Sequence, residues 1–365
     1  MRVLHVIARM NVGGTSTYLH NLISGLERKG IENLLAVGSV PSNEREDSRL
    51  TELNFRRIAN LSRRLNLFED IRALKELKLI VEEFKPDLIH SHTFKAGLLT
   101  RVFRPGCPTL HTFHGHHLYD PEFGWFSRNT INLIERLLAR RSKKLLTIGG
   151  KVGAELLEAG IGRPSQFVSI PPGIKQLPGT NREVTRENFG IAKGDFVVVW
   201  LGRLTRVKRP DLVVEIAKLL PEVVFVMAGD GELLDETRKA SPINLKVVGV
   251  QSAAEMWGMA DIGLLTSDSE GMPLSVIEAQ MCGLPVIATD VGSVSEIVQD
   301  GVTGNLVAGT PSEFQDAISN LLVNPGKLRL MGESAKARAK QLFAQDVMVA
   351  KHLEIYTEIL GKVGK

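Results

Sequence analysis

The residues best suited to chemistry in this sequence lie in two short segments of its second half. The first, Gly-Arg203-Leu-Thr-Arg-Val-Lys208, directly follows an apolar run typical of a buried strand. A planar guanidinium and a compact ammonium in such a loop suit a diphosphate. The second segment carries Glu270 and Glu278, with a helical pattern starting near Leu274 between them. Amides at that helix start can take phosphate charge, and a carboxylate one turn inside can accept hydrogen bonds from ribose hydroxyls. Taken alone, the basic loop is better explained as a solvated surface.

Two further features that could bind a ligand lie in the first half, a glycine pair and a group of histidines. Gly13-Gly14 stands between an apolar run and a helical pattern, so backbone N–H groups there can receive a phosphate or sugar oxygen. By itself, a glycine pair is more often only a tight turn. Neither G-x-G-x-x-G nor G-x-x-x-x-G-K-[ST] occurs, so the fingerprints of nicotinamide dehydrogenases and P-loop NTPases are missing.

Histidines are concentrated in the first half of the chain. Six of the nine fall within a short span, at positions 90, 92, 111, 114, 116 and 117. The cluster superficially resembles a metal site, but no suitably spaced carboxylates accompany it. We expect these side chains to be polar groups at strand ends that face a ligand cleft, and we expect no metal site.

The order of apolar runs and helical patterns predicts an α/β protein. Strands are predicted at 2–8, 87–92, 196–201, 223–228, 246–250, 262–265 and 285–288, with helices between them. Alternation of this kind is typical of parallel sheets covered by helices on both faces. In such doubly wound sheets, ligands bind beyond the carboxyl ends of the strands.

The chain length of 365 residues fits two domains. A proline-glycine turn at 171–173, followed by a polar stretch to residue 188, marks the boundary. We predict Rossmann-like domains at 1–172 and 173–344 that face each other across a cleft, with a helix at about 345–365 packing back on the first.

Composition and charge argue against several classes of protein. Two distant cysteines, Cys107 and Cys282, argue against a disulfide scaffold or a zinc ribbon. Apolar runs are too short to span a bilayer, and the first residues make a poor secretory signal. We therefore expect a cytoplasmic protein. Residues 1–175 hold 26 Lys and Arg against 17 Asp and Glu, whereas residues 176–365 hold 19 against 24. This asymmetry indicates an anionic partner for the first half or a generally basic surface.

In their order and spacing, these segments resemble glycosyltransferase family 4, a family of retaining GT-B enzymes. Glu270 and Glu278 match the E-x7-E motif, and Arg203 with Lys208 matches the diphosphate site. Gly13-Gly14 resembles the family's glycine loop, and the segment His-Thr-Phe-His114-Gly resembles its histidine-bearing segment. The sequence departs from the family at Pro172, where Asn is common, and at residues 149–150, where two glycines replace a polar serine.

The resemblance implies a role for each matching residue. Arg203 and Lys208 would neutralise the departing diphosphate without a metal or other cofactor, Glu270 would orient the sugar, and His114 would contact that sugar from the other domain. Glu278 would hold the ribose, and the backbone at Val250 the base. The set implied to bind donor is Gly13, Gly14, Arg203, Lys208, Val250, Glu270, Gly271, Met272, Pro273, Leu274, Ser275 and Glu278. No carboxylate is clearly placed as a covalent nucleophile, so the resemblance implies front-face displacement, with the leaving phosphate acting as base.

The only sequence feature that suggests where the acceptor binds is a cluster of positive charge. Arg56, Arg57, Arg63 and Arg64 recur seven apart among apolar residues. As a helix, this stretch would suit an anionic membrane surface, and its alternative is an exposed loop. A polyprenyl-diphosphate-linked or other glycan acceptor at the inner face of the membrane fits either form. Nucleic acid is not expected, because aromatic residues make up only 5% of the chain and no known binding module is present.

The predicted activity is transfer of a sugar, with UDP as the expected nucleotide, to a glycan or lipid-linked acceptor in the synthesis of cell-surface polysaccharide or glycoconjugate. A nucleotide-sugar 2-epimerase of the same fold is the rival enzyme, and it would convert the donor without an acceptor. A non-catalytic nucleotide-sugar-binding subunit is a further alternative, against which the intact Glu270, Glu278, Arg203 and Lys208 argue.

Overall fold

The protein divides into two compact units. A computed structural model describes residues 1–41, 44–62, 66–103, 105–115 and 125–361. The first unit joins Met1–Gly173 to the C-terminal segment Gln345–Lys365, and the second is Ile174–Ala344.

The first unit is built on a parallel sheet of seven strands in the order β3-β2-β1-β4-β5-β6-β7. Its strands are β1 (Arg2–Ile7), β2 (Glu32–Val37), β3 (Phe55–Arg57), β4 (Leu88–His92), β5 (Thr109–Phe113), β6 (Lys144–Thr147) and β7 (Phe167–Ser169). Its helices are α1 (Gly14–Arg28), α2 (Leu67–Phe84), α3 (Phe94–Phe103), α4 (Trp125–Ala139), α5 (Gly150–Glu158) and the C-terminal α14 (Gln345–Ile359).

The two faces of this sheet differ because side chains alternate along each strand. On one face Leu4, Val6 and Ile89 pack against apolar residues of α2 and α3. On the other face His5 and His90 stand in register on neighbouring strands. That face is covered by α1 and α14, whose tyrosines and histidine reach the histidines of the strands. On this second face, histidines are therefore packed together with apolar residues such as Val3 and Ile7.

The second unit has a parallel sheet of six strands in the order β10-β9-β8-β11-β12-β13. Its strands are β8 (Val197–Leu201), β9 (Val224–Ala228), β10 (Leu245–Gly249), β11 (Ile262–Leu265), β12 (Val286–Thr289) and β13 (Gly304–Val307). Its helices are α6 (Arg182–Asn188), α7 (Pro210–Leu219), α8 (Leu234–Ala240), α9 (Ala253–Met259), α10 (Leu274–Met281), α11 (Val294–Ile297), α12 (Pro311–Leu322) and α13 (Pro325–Phe343). The core is apolar and includes Trp200, Phe225 and Phe314.

Both strand orders reverse beside the first strand of the unit, at β1/β4 and at β8/β11. The predicted doubly wound α/β class is thus confirmed in each unit. At such a reversal the connecting helices leave to opposite faces, and the loops at the carboxyl ends of the two strands diverge. Ligand-binding residues are therefore expected beyond β1 and β4 in the first unit, and beyond β8 and β11 in the second.

The arginine-rich stretch before α2 differs from the helical option. Arg56 and Arg57 lie in the short edge strand β3, where successive side chains point to opposite faces. Arg63 and Arg64 lie outside the described residues. The helix that follows begins at Leu67, because the Asn66 side chain accepts hydrogen bonds from the backbone N–H groups of Phe68 and Glu69. In the described part of the chain, no helix combines the length and apolar character needed to cross a membrane.

Candidate functional site

Close backbone contacts shape the loops that follow β8 and β9. Gly202 donates its N–H to the carbonyl of Ala228, and Leu204 donates to the carbonyl of Asp230, at 3.1 and 2.9 Å. A Cβ at Gly229 would lie 1.8 Å from the Gly202 carbonyl oxygen. A side chain is therefore excluded at Gly229, and the basic loop is held against its neighbour by backbone alone.

Lys208 and Glu270 form an ion pair at this edge of the sheet. The carbonyl of Lys208 accepts a hydrogen bond from Thr266 Oγ1 at 2.9 Å, and that hydroxyl in turn accepts from Trp200 Nε1 at 3.1 Å. Trp200 and Thr266 are buried. Asp268 completes the connection, because its N–H donates to the Val207 carbonyl at 2.8 Å. The loops after β8 and β11 thus hold the ammonium and the carboxylate together.

Glu270 is also held from a third direction, by the loop after β12. Within its own loop, Glu270 Oε1 accepts a hydrogen bond from the hydroxyl of Ser267 at 2.6 Å. From the loop after β12, Ser293 donates its N–H to the carbonyl of Gly271 at 3.0 Å. Gly292 has a φ of 54°, and a Cβ there would lie 1.7 Å from the Glu270 carbonyl oxygen. Only glycine fits that position without displacing Glu270.

The second glutamate lies inside α10, the helix that starts directly after this loop. Pro273 precedes the helix, and no described side chain caps its first turn. The N–H groups of that turn therefore keep hydrogen-bonding capacity for a ligand. Glu278 Oε2 accepts a hydrogen bond from Trp257 Nε1 at 3.4 Å. This contact ties Glu278 to α9.

Arg203 and Val250 complete the predicted donor set and are both exposed. No described residue forms an ion pair or hydrogen bond with the Arg203 guanidinium. Val250 follows Gly249, whose carbonyl accepts a hydrogen bond from the N–H of Gly229 at 2.7 Å. Consecutive strand ends of the second unit therefore present a cation, an ion pair and an uncapped helix start.

This arrangement can bind a polyanion next to a hydroxyl-bearing group. The two cations and the helix amides suit phosphate oxygens, whereas the carboxylates suit hydroxyl donors. Because Lys208 is already paired with Glu270, a phosphate would share the lysine with the carboxylate.

In the first unit, the glycine pair opens α1. Gly13 has a φ of 159° and precedes the helix that begins at Gly14, and no described side chain caps the first turn. A Cβ at Gly13 would have no atom within 4 Å. Open space and uncapped amides at this turn are suitable for an oxygen ligand.

Histidines form a connected cluster beneath α1 and α14, and all of them are buried except His114, which is partly exposed. His5 Nδ1 lies 3.3 Å from His92 Nε2, and His92 Nδ1 lies 3.2 Å from His114 Nε2. His90 contacts Thr112 Oγ1 and the hydroxyl of Tyr356, at 2.6 and 2.7 Å. The cluster also includes a hydrogen bond of 3.0 Å between Tyr18 and His352. His90 and His92 are completely buried, so the prediction that they face a cleft is wrong; the helix α14 covers them.

The histidines of this cluster favour their neutral forms. Burial lowers the pKa of His5 and of His114 to about 3, and that of His352 to about 4. Burial, followed by repulsion from neighbouring imidazoles, lowers the pKa of His90 and His92 well below the usual value. At neutral pH each ring therefore carries one N–H and one lone pair.

The same cluster contains a possible metal triad of His5, His90 and His92, whose candidate ligand atoms lie within 4.8 Å of one another. Every ring nitrogen of these three residues already contacts a polar partner. A metal would have to replace those hydrogen bonds, so the geometry favours a hydrogen-bonded network. His116 and His117 lie outside the described residues.

Two family models match consecutive parts of the chain. Residues 12–175 match the model of Glycosyltransferase Family 4, and residues 181–338 match that of Glycosyl transferases group 1. The chain belongs to glycosyltransferase family 4. The predicted recognition is confirmed.

Two relatives of this family 4 glycosyltransferase are bacterial glycosyltransferases. The UDP-Gal:α-D-GlcNAc-diphosphoundecaprenol α-1,3-galactosyltransferase of Escherichia coli is 28% identical over 274 residues, which cover 68% of this chain and 70% of the relative. The D-inositol 3-phosphate glycosyltransferase 2 of Catenulispora acidiphila is 28% identical over 309 residues, which cover 74% of this chain and 70% of the relative.

The fold is also shared with a solved structure that holds a nucleotide sugar. Anabaena Alr3699/HepE in complex with UDP-glucose superposes with a TM-score of 0.84 at 21% identity, covering 98% of this chain and 100% of that chain. This structural similarity shows that the two proteins share a fold.

The structure brings some predicted site residues of the family 4 glycosyltransferase together and leaves others apart. Lys208 and Glu270 are in contact, and Gly271 to Ser275 lead from that pair into α10. Gly13, Gly14 and His114 belong to the other unit. Arg56 and Arg57 are each paired with a carboxylate, of Glu83 and Glu46 respectively.

Sequence reasoning missed the residues that hold Lys208 and Glu270 in place. Gly292, Thr266 and Trp200 act through contacts between separate loops, and local spacing carries no record of such contacts. A weak signal existed for Gly292, because Asp-Val-Gly directly after an apolar strand is typical of a turn. Nothing comparable marked Trp200, which resembles any other core residue of β8.

Proposed function

We propose that this glycosyltransferase moves a sugar from a UDP-sugar to a glycan or polyprenyl-diphosphate-linked acceptor, with retention of anomeric configuration and without a metal. The observation that carries the proposal is the junction of the loops after β8 and β11. There Lys208 and Glu270 are paired beside the uncapped start of α10, with Arg203 on the same basic loop. A departing nucleoside diphosphate needs this concentration of positive charge.

The expected division of labour follows from charge. Arg203, Lys208 and the helix amides would stabilise the diphosphate as it leaves, and Glu270 would accept hydrogen bonds from sugar hydroxyls. Glu278 would accept from the ribose. Retention would arise by front-face attack, in which a leaving phosphate oxygen takes the proton from the acceptor hydroxyl as the new glycosidic bond forms. His114 would contact the sugar.

The relatives support the substrate classes. The Escherichia coli relative is named for a UDP-galactose donor and an undecaprenol-diphosphate-linked acceptor, and the Anabaena structure contains UDP-glucose. We therefore place this chain in the synthesis of cell-surface polysaccharide or glycoconjugate.

A panel of nucleotide sugars tests the proposal. Thermal unfolding is measured with each sugar nucleotide, in EDTA and in magnesium. A ligand at one hundred times its Kd adds about 2.7 kcal/mol of stability, so a UDP-sugar should raise the Tm and a non-binder should not. The stabilising donor is then incubated with and without a lipid-linked acceptor. Transfer with retention, equal in EDTA and magnesium, is expected. Interconversion of the donor without acceptor would instead identify an epimerase, and loss of transfer in EDTA would contradict metal independence.

A peripheral association with anionic membrane is a second part of the proposal. The basic excess of residues 1–175 supports it, as do the exposed Leu67 and Phe68 at the start of α2, where Phe68 is 78% exposed. An exposed apolar helix start suits a lipid interface. Because Arg56 and Arg57 are ion-paired, their contribution should fall below the roughly 1 kcal/mol expected for each free charge near an anionic leaflet.

Vesicle sedimentation tests this association. Wild-type protein should bind anionic vesicles at low salt, release at high salt, and ignore neutral vesicles. Leu67→Ser with Phe68→Ser should weaken binding more than Arg56→Gln with Arg57→Gln. Val323→Ser, at an exposed apolar residue directly after α12, provides the control. Failure of the wild type to sediment with anionic vesicles at low salt would exclude the association.

A further inference from the structure

A hydrogen-bonded path runs through the buried polar face of the first unit, from Asn33 to His114. It begins at Asn33, whose side-chain nitrogen donates to the carbonyl of Ile31 at 2.9 Å. Asn33 Oδ1 lies 3.2 Å from His5 Nε2, and the path continues through His92 to His114 at 3.3 and 3.2 Å. Asn33, His5 and His92 are all buried.

The first link sets the direction of every other link. The Ile31 carbonyl can only accept, so the side-chain nitrogen of Asn33 faces it and Oδ1 faces His5. His5 must therefore donate from Nε2, which leaves a lone pair on Nδ1. That lone pair requires a donor at His92 Nε2, and a neutral His92 then has its lone pair on Nδ1.

The last link decides the state of His114. Because His92 Nδ1 accepts, His114 must donate from Nε2, and its Nδ1 carries the lone pair. No described residue bonds to His114 Nδ1. The assignment requires neutral rings, and the depressed pKa values of His5, His92 and His114 favour the neutral forms.

We propose that Asn33, His5 and His92 are positioning residues that fix His114 in the Nε2–H tautomer and so present Nδ1 as a hydrogen-bond acceptor to a hydroxyl of the donor sugar. The tautomer itself follows from contacts within the first unit, whereas its use on a sugar hydroxyl rests on the proposed function. Because Nδ1 can only accept, the site would favour a sugar with a free hydroxyl at the contacted position. It would discriminate against a sugar with a deoxy or O-methyl group at that position.

The remaining polar side chains of the cluster do not compete for this path. His90 bonds to Thr112 and Tyr356. The lone pair of His352 Nε2 faces the hydroxyl of Tyr18, because His352 Nδ1 contacts the Met348 carbonyl at 2.8 Å. His90 nevertheless packs against His92, with ring centroids 4.0 Å apart, which makes it a stringent control.

Nitrogen-15 NMR of protein labelled on histidine side chains tests the tautomer directly. Couplings from ring protons to nitrogen distinguish the Nε2–H form, the Nδ1–H form and the charged ring, and His114→Asn identifies the resonance by its loss. In wild type, His114 should be the Nε2–H form at neutral pH. An Nδ1–H form or a charged ring would overturn the proposal without recourse to any variant of the path.

Two matched variants test the path. His5→Phe keeps a planar ring but removes the acceptor for His92, so His114 should populate both tautomers and kcat/KM for the donor should fall about tenfold. His90→Phe removes a buried imidazole outside the path and should leave the His114 tautomer unchanged. An unchanged tautomer in folded His5→Phe would overturn the proposal. If wild type shows the Nε2–H form but neither binds nor transfers any nucleotide sugar, the proposed function fails while the path stands.

Discussion

The histidine cluster of the first unit and the candidate site of the second unit are built from different polar groups. All nine histidines of the chain lie outside residues 174–344, and six of them lie in the buried cluster of the first unit or beside it. The second unit has no histidine, and its candidate site is built from Lys208, Glu270 and other charged side chains at strand ends. The histidine cluster consists of neutral rings beneath α1 and α14, whereas the candidate site of the second unit consists of charged side chains at strand ends.

This contrast follows from the energetics of burial. A neutral imidazole that finds partners for both nitrogens can be buried at little expense, but a lone charge cannot. Charges that must meet a charged ligand therefore stay at the sheet edge, where Lys208 and Glu270 neutralise each other. The buried rings of the first unit instead orient one another. The candidate site of the second unit therefore offers paired charge, and the histidine cluster of the first offers directed hydrogen bonds.

The largest expected difference between the two units is the loss of stability in mild acid. The folded-state pKa values of His5, His90, His92, His114 and His352 all lie below the value in the unfolded chain. The unfolded state therefore binds more protons below about pH 6.5, and stability falls as the pH drops. Each such histidine removes about 1.4 kcal/mol per pH unit until its folded pKa is reached.

Hydrogen exchange followed by mass spectrometry, corrected for the intrinsic rate, measures this effect in each unit separately. Between pH 7.5 and 5.5, the first unit should lose protection strongly and the second only slightly. His352→Gln should reduce the pH dependence in the first unit. Equal losses in both units would mean that the histidines are not the cause of acid sensitivity.

The next largest effect concerns the cations of the second unit. Lys208→Ala and Arg203→Ala each remove a positive charge expected to face the departing diphosphate, and loss of one such stabiliser typically lowers kcat by about 10²–10³. Arg206→Ala is the matched control, since Arg206 is an exposed cation of the same loop. Turnover near that of wild type in both test variants would move the diphosphate site elsewhere.

A smaller effect should distinguish the two glutamates. Glu278→Gln keeps the shape but removes the charge expected to bind ribose, and should weaken UDP binding about tenfold or more, as expected for a hydrogen bond to a charged group. Glu270→Gln should lower kcat more than it weakens UDP binding. Calorimetry with UDP and steady-state kinetics on both variants separate these effects. Unchanged UDP affinity in Glu278→Gln would contradict the ribose assignment.

Periodic patterns in the sequence were enough to predict the class of fold and most of its strands. Apolar runs of four to six residues followed by helical spacing record parallel strands and their crossovers locally, so the strands at 196–201 and 262–265 need little tertiary information. The E-x7-E spacing is also local information, because Glu270 lies in a loop and Glu278 in the helix that directly follows it.

Only the tertiary structure decided which polar side chains are buried and which of them meet. His5 and His90 are 85 positions apart, and they become neighbours because β1 and β4 pair in the sheet. His352 joins them because α14 covers the same face. The pairing of Lys208 with Glu270, and the need for glycine at 292, arise in the same way from loops that converge at one sheet edge. Strand order and helix packing bring such residues together, and spacing along the chain does not record either one.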